Sequence, residues 1–444
     1  MVAQKVWFDK VSGLFIQRST MSTDLIRELQ WRGLISQVSD EDALSAHLAE
    51  APRTLYCGFD PTADSLHIGS LVPLLALRRF QLCGHRPILL LGGATGLIGD
   101  PSFRDDERSL NDPAVVASWV EALRRQVGGF LAFDGDNSAR VVNNLDWTAE
   151  LNVISFLRDI GKHFSVNAMI QRDSVRTRLE RTDQGISYTE FSYMLLQGMD
   201  YLELARRYQC SLQIGGSDQW GNIVSGLDLV RRHLASNAFA LTLPLVTKSD
   251  GTKFGKTAAG AIWLDPLKTS PYTFYQFWLN VADADVIRFL KLFTFLSAPE
   301  IEALEAQMQA HPERRGAQRQ LAQEVTALVH GASAVVSAQR ISEALFGNEF
   351  SALNASDFAQ LQQDGLPATG LGQAQGVLNV MVAAGLTKST GEARKLVSSG
   401  AVRINGLQIK DPRYQLDFAD ALFEKYFLIR RGKKAYHLIW HESE

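Results

Sequence analysis

The sequence has little cysteine, no long apolar segment and almost no excess of charge of either sign. Its three cysteines, Cys57, Cys83 and Cys210, are too far apart to indicate a zinc site or a disulfide framework. No stretch approaches the ~20 apolar residues that a membrane-spanning helix needs. The net charge of −3 does not by itself indicate a nucleic-acid partner. The cysteine usage fits a reducing cytoplasm, and the absence of an apolar segment argues against a membrane protein.

The length and composition are those of an ordinary globular protein with more than one domain. At 444 residues the chain is long enough for roughly two or three domains. Basic charge is concentrated near the C-terminus, where residues 374–444 contain 11 Lys or Arg against 7 Asp or Glu. A small RNA-binding module and a solvated basic face explain this concentration equally well.

Residues 1–20 do not have the pattern of a targeting segment. They suit a weak amphipathic helix, but they lack the continuous apolar run of a signal peptide. They are also too poor in arginine and serine for a transit peptide. We expect an extension that is disordered or lies upstream of the true start, with Met21 as the first functional residue.

Apolar runs of strand length alternate with helical stretches through residues 21–250. The predicted strands are residues 54–58, 87–91, 140–143, 211–215 and 241–246. The predicted helices between them are residues 66–82, 113–131, 189–199 and 226–234. This alternation predicts a doubly wound parallel sheet of the α/β class.

Polar and glycine residues follow the predicted strands at the points where they end. Asp60, Gly92, Gly93, Asn144 and Asp218 all hold such positions. Ligands of doubly wound sheets bind beyond the carboxyl ends of the strands. The sequence therefore predicts a single crevice to which these residues contribute.

Two short motifs indicate that the crevice binds phosphates. His67-Ile68-Gly69-Ser70 follows a strand and opens an apolar helix, where backbone N–H groups favour anions. Lys253-Phe254-Gly255-Lys256-Thr257 lies in residues 248–258, which we call the lysine loop. Each motif alone also occurs by chance or on a solvated surface. Their order and flanking strands favour a site that activates a substrate with a nucleoside triphosphate.

The motifs resemble the two signatures of class I aminoacyl-tRNA synthetases, His-Ile-Gly-His and Lys-Met-Ser-Lys-Ser. The segments 56–62, 92–102 and 213–222 are further similar to bacterial-type tyrosyl-tRNA synthetases. The resemblance covers the chain from Met21 to Trp440. It implies a Rossmann-like catalytic domain over residues 21–250, with a connective insertion at about 148–208 that contributes to a homodimer interface. It also implies a helical anticodon-side domain at 270–346, a linker at 347–373 and an alpha-L RNA-binding domain at 374–444.

The resemblance implies a two-step reaction. L-Tyrosine is activated with ATP to tyrosyl-adenylate, and tyrosine is then transferred to the 3′ end of tRNA(Tyr). The first step needs no side-chain nucleophile, because the protein holds the reactants and stabilises developing charge. Magnesium accompanies ATP, and no dedicated protein metal site is expected. The implied partners are tyrosine, ATP, tRNA(Tyr) and a second copy of the chain, in the cytoplasm and without a membrane.

The same resemblance assigns roles to individual residues. The residues implied in catalysis are Thr62, His67, Lys253, Lys256 and Thr257. Those implied in tyrosine binding are Tyr56, Asp100, Tyr193, Gln197, Asp200 and Gln219. Those implied in ATP binding are Asp60, His67, Gly69, Ser70, Gly215, Asp218 and Lys256. Those implied in RNA binding are Arg394, Lys395, Arg403, Lys433 and Lys434.

The spacing of three pocket residues supports these roles independently. Tyr193, Gln197 and Asp200 stand at i, i+4 and i+7, which places them on one face of a helix. A polar surface stripe is the competing explanation of this spacing.

The chain departs from the family pattern near the first signature. Ser70 replaces the usual second histidine, which predicts a weaker or water-bridged ribose contact. Pro73 follows early in the helix and predicts a helix that begins or bends there.

Three other functions compete with tyrosine activation. A tryptophanyl-tRNA synthetase shares the fold and both signatures, but Tyr56 with Asp200 and the basic tail favour tyrosine. A nucleotidyltransferase would not need the C-terminal third. A non-catalytic RNA-binding protein is disfavoured by the intact residues His67, Lys253, Lys256 and Asp200.

Overall fold

The chain folds into two compact units. The structure is a computed structural model, and it describes residues 25–100, 110–180, 185–252, 254–257, 260–347, 349–432 and 435–442. The first unit comprises the described residues up to Leu264 together with Ala282–Ala317, and the second comprises Asp265–Val281 and the chain from Gln318. The predicted extension at residues 1–20 lies outside the described residues. None of the described helices combines the length and apolar character that a membrane crossing needs.

A six-stranded sheet forms the centre of the first unit, in the order β1-β6-β5-β2-β3-β4. The strands are β1 (Gln37–Val38), β2 (Thr54–Phe59), β3 (Arg86–Leu91), β4 (Arg140–Asn143), β5 (Cys210–Gly216) and β6 (Phe239–Leu243). All neighbours pair in parallel except β1, which pairs antiparallel with β6. The inner strands are buried on both faces and read as continuous apolar runs, which is why the sequence predicts them. The predicted α/β sheet is confirmed.

Helices cover the sheet and complete the first unit. Those up to the last strand of the sheet are α1 (Leu25–Trp31), α2 (Glu41–Glu50), α3 (Leu71–Leu82), α4 (Thr95–Ile98), α5 (Pro113–Val127), α6 (Leu145–Thr148), α7 (Val153–Ser155), α8 (Val166–Ile170), α9 (Asp173–Leu179), α10 (Tyr188–Tyr208) and α11 (Trp220–Leu234). The short strands β7 (Lys256–Thr257) and β8 (Gly260–Ala261) pair with each other within the same unit. Two later helices, α13 (Asp283–Phe293) and α14 (Ala298–Ala310), also belong to it.

The start of α3 corrects one expectation from the sequence. A 3-10 turn at Ile68–Ser70 precedes the helix, which begins at Leu71. Pro73 therefore lies in the first turn, where N–H groups have no partner within the helix and proline is tolerated. The helix begins two residues before Pro73 because the missing N–H costs no hydrogen bond there.

The second unit combines helices with a five-stranded sheet. Its helices are α12 (Pro271–Leu279), most of α15 (Gly316–His330), α16 (Ala332–Gly347), α17 (Ala355–Gln360), α18 (Val377–Ala383) and α19 (Thr390–Ser398). Its strands are β9 (Ala368–Leu371), β10 (Gln375–Gly376), β11 (Val402–Ile404), β12 (Leu407–Ile409), β13 (Gln415–Leu416), β14 (Tyr426–Arg431) and β15 (Ala435–His441). The larger sheet has the order β12-β11-β14-β15-β9. The helical segment expected at residues 270–346 is divided between the two units.

Residues 347–373, which the composition suggests as a linker, contain regular structure. Helix α17 begins with a capping box between Asn354 and Asp357. Strand β9 pairs in parallel with β15, so that Leu371 lies opposite His441. The linker expectation fails because this pairing joins residues about 70 positions apart, which local periodicity does not reveal. The capping box is a local signal that predicts the helix.

Candidate active site

A cavity of ≈ 640 Å³ opens at the carboxyl ends of β2, β3 and β5 in the first unit. The chain passes from β2 through β3 to β4 on one side and returns through β5 to β6 on the other. The cavity therefore lies at the point where the strand order reverses, as expected for a doubly wound sheet. Its lining includes these predicted site residues: Tyr56, Asp60, His67, Gly69, Ser70, Asp100, Tyr193, Gln197, Asp200, Gly215, Asp218 and Gln219.

The remaining predicted residues of the first unit lie elsewhere or are described only in part. Thr62 is exposed on the loop after β2 and is not among the lining residues. The backbone of Lys256 and Thr257 forms β7. Lys253 lies outside the described residues.

Asp200 is held at the inner end of the cavity by two hydrogen-bond donors. It lies on α10 and is 2% exposed. Asn144 Nδ2 donates to Asp200 Oδ2 at 3.0 Å, and Trp147 Nε1 donates to Oδ1 at 2.9 Å. Burial raises the pKa of Asp200 to about 7, although both of these hydrogen bonds lower it. The carboxyl group is therefore poised between its neutral and charged forms near pH 7.

Several buried polar atoms of the cavity lining have no hydrogen-bond partner in the part of the chain that the structure describes. Among the described residues, none bonds to the Tyr56 hydroxyl, to Gln197 Oε1 or to Gln213 Oε1. Tyr56 is fully buried, and burial and then the Asp200 charge raise the pKa of its hydroxyl well above the usual range. An unsatisfied buried polar group costs ~1–3 kcal/mol. Because all three side chains line the cavity, these atoms are suited to a polar ligand.

The middle of the cavity carries carboxylates held by neighbouring side chains. The Tyr193 hydroxyl donates to Asp60 Oδ2 at 2.7 Å, and Thr95 Oγ1 donates to Asp60 Oδ1 at 2.6 Å. Gln219 Nε2 donates to both Asp100 and Asp218, at 2.8 Å and 3.0 Å. This concentration of negative charge suits an ammonium group and hydroxyl donors.

The outer side of the cavity is formed by the turn that contains His67. His67 caps this turn, and its Nδ1 accepts a hydrogen bond from the Gly69 backbone N–H at 3.0 Å. Its ring lies edge-on to Trp263, with centroids 6.5 Å apart. Ser70 makes no side-chain capping bond to α3. The backbone N–H groups of Ile68, Gly69 and Ser70 donate to the Ile262 carbonyl, to His67 Nδ1 and to the His67 carbonyl. The backbone donors that the sequence suggests for anions at this turn are therefore already engaged within the protein.

Sequence reasoning missed two contributors to the site. Thr95 on α4 positions Asp60, and Trp147 on α6 positions Asp200. The strand pattern places Asn144 at a strand end, but it does not indicate that Asn144 donates a hydrogen bond to Asp200. No sequence signal distinguishes Trp147, because its partner lies 53 residues along the chain.

The residues predicted to bind RNA belong to the second unit. Arg394 and Lys395 are exposed on α19, while Ala393 and Val397 of the same helix are buried. Arg403 lies on β11 and is partly buried, and its Nη1 donates to the Gly406 carbonyl at 2.8 Å. Lys433 and Lys434 lie outside the described residues.

Comparison with known proteins identifies the family. Residues 48–347 match the family described as tRNA synthetases class I (W and Y). Residues 357–439 match the SYY-like C-terminal domain of tyrosine–tRNA ligase. The chain is 59% identical over 417 residues to the tyrosine–tRNA ligase of Laribacter hongkongensis, covering 94% of this chain and 98% of that protein. The chain belongs to the tyrosine–tRNA ligase family. This finding confirms the resemblance predicted from the sequence.

Two further family members support the assignment. The tyrosine–tRNA ligase of Salmonella paratyphi B is 57% identical over 419 residues, covering 94% of this chain and 99% of that protein. A solved C-terminally truncated mitochondrial tyrosyl-tRNA synthetase from Aspergillus nidulans superposes with a TM-score of 0.66 and is 31% identical. The match covers 76% of this chain and 100% of the truncated synthetase. Among the described residues, no group of three or more His, Cys, Asp or Glu side chains is placed to hold a metal ion.

Proposed function

We propose that the protein is a tyrosine–tRNA ligase that activates L-tyrosine with ATP and then charges tRNA(Tyr). In the first step a tyrosine carboxylate oxygen attacks the α-phosphorus of ATP, and pyrophosphate leaves. In the second step a ribose hydroxyl at the tRNA 3′ end attacks the tyrosyl carbonyl, and AMP leaves. The observation that best supports this function is the buried hydroxyl of Tyr56 beside Asp200, which has no hydrogen-bond partner among the described residues.

The inner end of the cavity suits the phenol of tyrosine. The substrate hydroxyl donates to the Asp200 carboxylate and accepts from the Tyr56 hydroxyl, so that each buried group gains a partner. A phenylalanine ring would leave both groups unpaired in a buried site. Tyrosyl-tRNA synthetases are the standard example of such discrimination, which is on the order of 10⁵ against phenylalanine.

The middle of the cavity suits the amino-acid end of the substrate. Asp100, Tyr193 and Gln197 surround the α-ammonium group, and Gln219 orients the carboxylate toward ATP. The position of these four side chains in the lining of one cavity supports this arrangement. Their fixed geometry lowers the entropy cost of bringing carboxylate and phosphate together.

The outer side of the cavity suits ATP. Asp60, Gly69, Ser70, Gly215 and Asp218 contact the nucleoside and its phosphates. The groups that act on the triphosphate are Thr62, His67, Lys253, Lys256 and Thr257. Cations that reach the phosphates mainly in the transition state accelerate the reaction rather than tighten substrate binding. Magnesium enters with ATP, held by phosphate oxygens and water.

We further propose that the protein works as a homodimer in the cytoplasm. The connective insertion leaves large apolar side chains exposed, among them Val153 and Ile154 at 69% and Val166 at 56%. Contiguous exposed apolar surface is typical of protein interfaces. The second unit would bind tRNA phosphates through Arg394, Lys395, Arg403, Lys433 and Lys434.

Pyrophosphate exchange with each of the twenty amino acids tests the proposal. We expect exchange with L-tyrosine only, and charging of tRNA(Tyr) in the second step. Tyr56→Phe serves as the matched variant, because it removes one hydroxyl and keeps the ring. It should weaken discrimination against phenylalanine by roughly 10- to 100-fold, the value of one or two buried hydrogen bonds. Comparable exchange with tryptophan would contradict the tyrosine assignment.

A further inference from the structure

Helix α13 contacts the lysine loop from outside the cavity. Asp285, near its start, is 3% exposed. Its Oδ1 accepts the Ser249 backbone N–H at 3.0 Å, and its Oδ2 accepts the Ser249 hydroxyl at 3.1 Å. Arg288 of the same helix donates to the carbonyl of Thr247, just before the loop. These bonds fix the beginning of the lysine loop to α13.

The same helix holds the middle of the loop through an aromatic cluster. The ring of Phe254 lies 4.9 Å from the ring of Phe289 and 5.3 Å from the ring of Phe293, measured between centroids. Phe289 and Phe293 are almost fully buried, whereas Phe254 is partly buried. These distances are those of favourable aromatic pairs. Phe254 stands two residues before Lys256, so the cluster restrains the backbone from which that lysine extends.

Beyond Phe254, the loop is joined to the turn that contains His67. Gly255 has φ +80°, and a Cβ atom there would lie 2.5 Å from Ile68 Cγ2. Its carbonyl accepts from the Ile262 N–H at 3.1 Å, and the Ile262 carbonyl accepts from the Ile68 N–H at 2.9 Å. The backbone of the lysine loop is therefore connected to the first signature by two consecutive hydrogen bonds.

The other end of α13 is also fixed. The carbonyl of Thr294, which follows the helix, accepts hydrogen bonds from Arg32 at 3.2 Å and from Arg79 at 2.6 Å. Both arginines are buried. Cations at a helix C-terminus are favourable for the helix dipole. Helix α13 is thus held by hydrogen bonds at both of its ends.

We infer that Asp285, Phe289 and Phe293 are positioning residues for the activation of tyrosine. They hold Ser249 and Phe254, and so set the backbone position of the loop that carries Lys256. The inference rests on the proposed role of Lys256 in adenylate formation. It adds residues that do not line the cavity and that lie outside the two signatures.

Phe254 is the residue to change, because it belongs to the loop and is only partly buried. Phe254→Ala should lower kcat for pyrophosphate exchange roughly tenfold, or about 1.4 kcal/mol, with the KM for tyrosine changed less than about twofold. Phe254→Met should restore most of the rate, since a flexible thioether packs well between two rings. Phe130→Leu is the control, because Phe130 is a buried phenylalanine of the same unit, placed after α5.

A double variant tests whether Phe254 acts through α13. Phe293→Leu alone should also slow pyrophosphate exchange. Both changes remove the same contact between Phe254 and Phe293, so the double variant should be no slower than Phe254→Ala alone. Thermal unfolding of each variant shows that the protein remains folded. Independent, multiplying effects of the two changes would overturn the inference.

Lys256→Ala separates this inference from the function on which it rests. If Lys256→Ala slows pyrophosphate exchange and Phe254→Ala does not, only the positioning role is refuted. Normal exchange in Lys256→Ala would refute the proposed role of the lysine loop and the inference with it. A parallel rise in the KM for tyrosine in Phe254→Ala would show a structural defect of the whole cavity, which also overturns the inference.

Discussion

Replacing Asp200 by asparagine should change how the stability of the protein depends on pH. Burial raises the pKa of this carboxyl from 3.8 to about 7 in the folded protein. Unfolding returns it to its ordinary value. Between these values the folded state binds more protons than the unfolded state, so stability falls as the pH rises. This shift of about three pH units, at about 1.4 kcal/mol per unit, corresponds to about 4 kcal/mol of folding stability. The contribution is fully present below pH ~4 and is lost by pH ~7.

Urea unfolding of the ligand-free protein measures this effect. Wild-type and Asp200→Asn proteins are compared from about pH 4 to about pH 8, and the difference between their unfolding free energies is followed. The wild type should lose about 1.4 kcal/mol per pH unit relative to the variant up to pH ~7, and nothing beyond it. Asp146→Asn is the matched control, because Asp146 is an exposed aspartate of α6. This variant gives the effect of an Asp-to-Asn change at an exposed site over the same pH range.

A flat difference for Asp200→Asn would refute the reasoning. It would mean that the hydrogen bonds from Asn144 and Trp147 outweigh burial and keep the carboxyl charged throughout. Trp147→Phe provides a second check, because it removes one of the two donors that lower the pKa of Asp200. The pH range of the stability loss should then extend to higher pH.

Three further predictions concern other parts of the protein. Lys256→Ala should slow adenylate formation in transient kinetics by at least about 100-fold with tyrosine affinity nearly unchanged, each tenfold being ~1.4 kcal/mol; an equal loss of affinity would contradict a catalytic role. Arg394→Ala with Lys395→Ala should raise the KM for tRNA and reduce its salt dependence in charging assays, with pyrophosphate exchange unchanged. Arg340→Ala should destabilise the second unit by about 1–3 kcal/mol in thermal unfolding, because the Asp357 carboxylate loses a bidentate partner at 2.8 Å but keeps the Ser337 hydroxyl and the Asn354 backbone N–H as donors; Arg340→Lys should recover part of this, and an unchanged melting temperature would disprove it.

Sequence reasoning succeeded where the signal is local. Strands β2, β3, β4 and β5 are predicted to within two residues, because buried parallel strands are short apolar runs with polar ends. It missed the edge strand β1, which has two residues and no pattern. Its pairing with β6 joins positions about 200 residues apart, as between Val38 and Leu241. Short strands paired over such distances leave no periodic signal in either segment.

The residues of the candidate site also fall into two groups, those that a local signal predicts and those that it does not. The carboxyl ends of parallel strands meet at one edge of a sheet, so residues such as Asp60 and Asp218 could be assigned to one cavity from their strand positions. The donor Trp147 and the support of the lysine loop by Phe289 could not, because each contact joins segments that are independent along the chain.

The sequence by itself determined the family, the parallel sheet and twelve of the residues that line the cavity, since motifs and hydrophobic runs are properties of neighbouring residues. Only the tertiary structure decided that burial raises the pKa of Asp200, that the Tyr56 hydroxyl has no partner among the described residues and that α13 contacts Phe254. These properties depend on burial and on hydrogen-bond partners. Both arise when distant segments pack together and exclude water, and no single segment encodes them.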